Sequence, residues 1–312
     1  MDFLKLPEGP LRLDNLTVPG CLTGASTALA SVTLAIRDGR IAPPEGDETA
    51  VDMKGAMVFP AFVDMHTHLD KGHIWPRSPN PDGSFMGALG AVGADTVANW
   101  RAEDVKARMD FSLRCAFAHG TRAIRTHLDS GAPQDVITWP VFEEMRAAWA
   151  DRIEIQGVCL VSCEAVGRTG PFRETADRVA AAGGVLGAVT YPHPDLDRQL
   201  DDLFGMAAER GLDADFRVDA TMDPGGNTLA DIARKVIAVG FDRPVTVGHL
   251  CSLSTMEEKV ALDTLDLVAK AGLHVVSLPM CNLYLQDRHA ARTPRGRGIT
   301  IVHEMKARGI PV

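Results

Sequence analysis

The stretch Val58–Gly72, VFPAFVDMHTHLDKG, decides how the rest of the chain reads. It opens as an apolar run and closes on two histidines, His66 and His68, one residue apart. In an extended strand the side chains at i and i+2 point to the same side, so both imidazoles face one way. Two neutral imidazoles at the end of one rigid strand suit a divalent metal. An isolated HxH is more often a pair of surface histidines in a turn. Here a buried-type strand leads into the pair, and Asp70 and Lys71 follow it, which favours the metal reading.

Composition bounds what surrounds that stretch. A chain of 312 residues can bury a large core, as one big barrel or as two ordinary domains. An apolar fraction of 46% and a charged fraction of 23% are those of a soluble globular protein, and no apolar run approaches membrane-spanning length. A net charge of -9 with no basic tract argues against a nucleic-acid partner. Cys21, Cys115, Cys159, Cys163, Cys251 and Cys281 show no CxxC spacing, which points to reduced thiols in a cytoplasmic protein. The opening MDFLKLPEGP lacks a basic segment followed by an apolar one, so no signal peptide is expected.

Residues 1–55 read as a small β domain. LRLDNLTV, SVTLAIRDG and RIAPP alternate apolar and polar residues, with Asp38-Gly39 where a hairpin turn would sit. Residues 56–312 read as apolar strands alternating with amphipathic helices. Val105, Met109, Leu113, Ala116 and Phe117 fall on one helical face that stops at Gly120. Strands are expected at TRAIRTHL, IEIQGVCLV, VLGAVT, DADFRVD, PVTVGHL and HVVSLP, and Ser254–Glu257 spells a capping box for the helix after His249. After a last helix, GITIVHEMKARG, the segment IPV opens an eighth strand, so the barrel is expected to be truncated there. Regular βα alternation of this length predicts a (β/α)8 TIM-type barrel. An open doubly wound sheet would show a Gly-rich phosphate turn after its first strand, and none is present.

Site residues of such a barrel lie at the C-terminal ends of its strands. Those positions hold His66 and His68, then His127 and Asp129, the region of Gln156, then Arg217, Asp219 and Ala220, then His249, with Asn282 and Gln286 after the seventh strand. Gln156 stands in an apolar strand where an amide needs partners, so it is expected to reach a pocket. His73 is placed to edge the site. HExxH is absent, as is an HxE paired with PCxxC, which excludes zincin proteases and the other zinc-deaminase architecture.

AMVFPAFVDMHTHLDKGHIWPRSPNPDG resembles the first strand and loop of the amidohydrolase superfamily, specifically its cytosine deaminase-like branch. TRAIRTHLD, IEIQGVCLV, DADFRVDA, VTVGHLCSLS, LPMCNLYLQDR and PRGRGITIVHEMKARGIPV continue the likeness in order along the chain. The resemblance implies a barrel with a partial N-terminal β-sandwich, and hydrolytic deamination of cytosine or a related cyclic amidine such as isocytosine, 5-methylcytosine or creatinine. It implies one divalent metal, iron or zinc, held in part by His66 and His68, with His249 holding the attacking water and Gln156 binding the ring. The expected partners are a small heterocyclic substrate and further copies of the chain in a homo-oligomer, with neither nucleic acid nor membrane. Strand 5 of the branch reads roughly DFHVDET, whereas this chain reads DFRVDAT. Arg217 thus stands at the position of a metal-binding histidine and Ala220 at that of the proton-carrying glutamate, so activity is expected to be impaired. The alternative is a catalytically inactive relative or a fragment that binds a heterocycle.

Overall fold

The computed structural model describes residues 6–296 and 298–312, and the chain divides into two compact units, Met1–Ala61 and Phe62–Val312. Half of the segment read against a signal peptide, residues 1–5, lies outside the described residues.

In the first unit β1 (Leu11–Pro19), β2 (Leu29–Arg37), β3 (Arg40–Ala42) and β4 (Thr49–Asp52) form one sheet in the order β3-β2-β1-β4. Alternation puts Leu11, Leu13 and Leu16 on a buried face, with a register shift between the last two. Asp38 and Gly39 take φ of 51° and 71° between the paired Arg37 and Arg40, the left-handed pair that a two-residue hairpin requires. Among the described residues this unit holds one sheet, where a sandwich needs two.

Among the described residues the second unit contains seven parallel strands: β5 (Phe62–Thr67), β6 (Thr121–Asp129), β7 (Glu154–Leu160), β8 (Leu186–Thr190), β9 (Ala214–Val218), β10 (Val245–His249) and β11 (His274–Val276). Bridges Val158–Val185 and Ser162–Val189 join β7 to β8, so spatial order follows chain order throughout. That is the strand order of a (β/α) barrel. The carbonyl of Pro311 accepts from the Val275 amide at 2.9 Å, so the terminal IPV starts alongside β11. The helices are α1 (Phe85–Asn99), α2 (Ala102–Ala118), α3 (Asp135–Ala148), α4 (Pro171–Ala181), α5 (Leu196–Arg210), α6 (Thr228–Val239), α7 (Glu258–Ala271), α8 (Pro279–Leu285) and α9 (Val302–Ala307). Among the described residues none is long and apolar enough to cross a membrane. Val105, Met109 and Leu113 of α2 are buried, as their spacing predicts, whereas Phe117, placed on the same face, is 49% exposed.

Two local expectations need correction. The strand carrying the histidines begins at Phe62, because Val58 donates to Thr17 in the first unit. Nor is it of the buried type: Phe62 and Val63 are 61% and 59% exposed, since among the described residues β5 has only β6 beside it. The capping box at Ser254 does not form. Ser254 Oγ donates to the Cys251 carbonyl and closes a short 3-10 turn, and α7 starts only at Glu258.

The barrel wall is tightest at Gly187 of β8, where an added Cβ would lie 2.2 Å from the Asp215 carbonyl oxygen and 2.7 Å from that of Cys159. Both obstacles are backbone, so neither can swing away. Gly187→Ala is expected to cost roughly 2–4 kcal/mol of stability. Urea unfolding reads this directly, and an unchanged midpoint would refute the close contact.

Candidate active site

His66, His68, Arg217 and His249 meet in one cavity of about 380 Å³ at the C-terminal ends of β5, β9 and β10. Lys71, Phe85, Leu89, Val92, Leu278, Cys281 and Leu285 complete most of its wall. The alternation of β9 explains Arg217: Phe216 points into the core, fully buried, so its neighbour faces the barrel axis. At His249 and Leu250 the backbone turns left-handed, with φ of 77° and 53°, so the strand stops and the imidazole is left at the rim.

The imidazoles are held by one another and by a polar layer beneath them. His66 stacks on His127 with centroids 3.8 Å apart and lies edge-on to His68 and His249 at 5.4 and 5.2 Å. His127 Nε2 donates to Asp215 Oδ1 at 3.0 Å, while Asp215 Oδ2 accepts from Arg125 Nη1 at 3.0 Å. His68 Nδ1 donates to the His127 carbonyl at 3.1 Å. His249 Nδ1 donates to Asn282 Oδ1 at 2.9 Å, which fixes its tautomer. The Nε2 atoms of His66 and His249 are buried without a hydrogen-bond partner. Burial holds the His66 and His68 imidazoles far below the ordinary histidine range. Burial first, and then the charge of Arg217, lowers His249 to about 3. All three are neutral at pH 7.

Arg217 makes no hydrogen bond or ion pair among the described residues, and its Nε is buried and unpartnered. Its guanidinium faces the Phe85 ring, 4.9 Å from the centroid. Burial lowers its pKa, but a guanidinium starts so high that it remains charged. It has no lone pair to give a metal and repels a cation placed between His66 and His68. Among the described residues, no group of three or more His, Cys, Asp or Glu side chains is arranged to hold a metal ion. The residues present therefore do not fit the divalent metal expected of the family.

The other nominated residues are engaged elsewhere. Asp219 accepts from the backbone amides of Thr228 and Leu229 and from the Thr228 hydroxyl, so it caps the start of α6. Ala220 does not line the cavity. Asp129 pairs with Lys71, and Gln286 accepts from the Gly298 amide. His73 is exposed and pairs with Ser112 in a hollow beside the site. Gln156 is a correction: it is the third residue of β7, well short of the strand's C-terminal end. It lies in a separate cavity, and its Oε1 accepts from Arg125 Nε at 2.7 Å. Sequence reading missed the wall that α1 supplies through Phe85, Leu89 and Val92. Its one legible signal was Ser84, whose side chain caps the helix by accepting from the Gly87 amide at 2.9 Å.

The chain is 52% identical over 310 residues to a pterin deaminase from Rhizobium rhizogenes, covering 96% of this chain and 71% of that protein. It is 24% identical over 245 residues to the N-isopropylammelide isopropyl amidohydrolase of a Pseudomonas species, covering 73% and 58% of the two. Among solved structures, 5-methylcytosine deaminase from Klebsiella pneumoniae, liganded with 5-fluorocytosine, superposes with a TM-score of 0.79 at 22% identity, covering 96% of this chain and 73% of that one. No family model matches. The fold is thus that of barrel hydrolases, and the chain belongs to the amidohydrolase superfamily, whose members here are hydrolases acting on C–N bonds.

A depressed histidine pKa stabilises the fold above the unfolded value and is lost as pH falls. For His249 the window runs from 6.5 down to about 3. Its expected contribution is on the order of 1 kcal/mol per pH unit. Urea unfolding between pH 6.5 and 4 should therefore show a shallower loss of stability in His249→Gln than in the parent. Equal slopes would mean that the imidazole is already protonated in the folded state.

Proposed function

We propose that the chain is by descent a hydrolytic deaminase of a pterin-type heterocycle, and that its present site binds such a ring with turnover near background. The observation that carries this reading is the 52% identity to a pterin deaminase along almost the whole chain. The pyrimidine half of a pterin is an isocytosine, so the cyclic amidine expected from sequence is retained, while cytosine itself gives way to a fused ring. A cavity of about 380 Å³ with apolar walls suits a planar two-ring ligand. In this reading His249 presents an unpartnered nitrogen to the ring or to water, held in one orientation by Asn282.

The turnover part rests on strand β9. Arg217 takes the place of a metal donor, and Ala220 has no group to carry a proton between water and the leaving nitrogen. Arg217 also favours the second reading, a relative that binds a heterocycle without hydrolysing it. The proposal includes an eighth parallel strand filling the seam between β5 and β11, supported by the pairing of Pro311 with Val275, and a sandwich completed around the first unit. Six free cysteines support a reducing, cytoplasmic location. A homo-oligomer is carried forward, to be read by sedimentation velocity.

The purified chain is expected to retain far less than one equivalent of iron or zinc by elemental analysis. Ammonia release from pterin, isocytosine and cytosine should sit near background for all three. Arg217→His should raise metal retention alone. Arg217→His with Ala220→Glu, in a chain extended to the length of the pterin deaminase relative, should raise pterin turnover by ~10²-fold or more. Full metal occupancy with brisk turnover in the parent would overturn the reading of β9.

A further inference from the structure

The cavity holding His66 and His249 contains two cationic side chains and no acidic one among its lining residues. Lys71 is already neutralised by Asp129, their closest atoms 2.5 Å apart. Arg217 is not neutralised. Asp219, two residues on, has both carboxylate oxygens committed to the start of α6. The neighbouring thiols of Cys281 and Cys251 are pushed up by burial and stay neutral. The Phe85 ring, 4.9 Å from the guanidinium, offsets only part of the cost of taking that charge out of water. A partly buried cation without an anionic partner among the described residues, in a formed cavity beside two orphaned imidazole nitrogens, marks a ligand site.

We infer that the cavity takes a planar aromatic or heteroaromatic monoanion whose charge sits on Arg217, where the family's fold would hold a cation. The apolar residues Leu89, Val92, Leu278 and Leu285 cover the faces of the ring, and Phe85 backs the guanidinium. The unpartnered Nε2 atoms of His66 and His249 meet polar groups on the ring edge. The inference rests on the preceding reading only in that both use this cavity; it requires no hydrolysis.

The test compares two ligands of nearly equal shape, 2-naphthoate and 2-naphthamide, by calorimetric titration of the full chain. The carboxylate should bind at least ten-fold more tightly than the amide, and the preference should shrink as salt is added. Arg217→Gln should bring the ratio to about one, and Arg217→Lys should keep most of it. Arg217→Met should raise the melting temperature of the free protein, because it removes an uncompensated charge. 2-Naphthoate should raise the melting temperature of the parent and leave that of Arg217→Met unchanged, a readout that does not need the glutamine variant to fold. Equal affinity for the two ligands, no binding of either, or a preference surviving in Arg217→Gln would overturn the inference. The two readings fail separately. Arg217-dependent naphthoate binding with no binding of pterin removes only the pterin reading, and pterin binding that naphthoate does not displace removes only the anion site.

Discussion

The carboxylate of Asp215, 2% exposed, accepts from His127 on one oxygen and from Arg125 on the other. Arg125 also donates to Gln156 and to Thr246 Oγ1, so strands β6, β7, β9 and β10 are tied across the barrel axis by one hydrogen-bonded cluster. A barrel interior is normally filled by layers of apolar side chains. Here one layer is ionic, and removing a single partner would leave a buried charge unanswered, at a cost of roughly 3–5 kcal/mol. The His66 ring rests on His127, and His68 donates to the His127 carbonyl, so the geometry of the histidine cluster is inherited from this layer.

Much of the fold was legible because burial writes a period into sequence. β6, β7, β9 and β10 are apolar enough, and regular enough, that their limits fall within a residue or two of the expected ones. The hairpin at Asp38-Gly39 was legible for a different reason, since few residues tolerate two consecutive left-handed positions. What failed was information that only tertiary context supplies. Gln156 lies in a strand that was recognised, but depth along a strand decides whether a side chain meets the mouth or the polar layer. Helix α1 carries Gly87, Gly90 and Gly93 and a weak apolar face, so its contribution to the cavity was invisible to a search for periodicity.

The meeting of His66, His68, Arg217 and His249 was anticipated from strand ends alone, and the partners of each were not. Asp129 lies two residues from His127, yet the hydrogen bond goes to Asp215, 88 residues on. Asp219 and Ala220 show the converse: position at a strand end gives access to the site only if nothing nearer claims the side chain, and for Asp219 the amides of α6 do. Strand-end logic thus locates a site better than it assigns roles within it.

The strands that build the cavity are unequally held. Arg217 and His249 stand on β9 and β10, each bonded to a neighbour on both sides, whereas His66 stands on β5, which among the described residues pairs with β6 alone and through a ladder with two register shifts. Backbone amides exchange with solvent through local openings whose free energy follows such support. Along β5, as described, only one set of ladder bonds must part, so less support stands behind its amides than behind those of β9 and β10. The cavity thus has a cationic wall held from both sides and a histidine wall held from one, an asymmetry that an eighth strand in the seam beside β5 would remove.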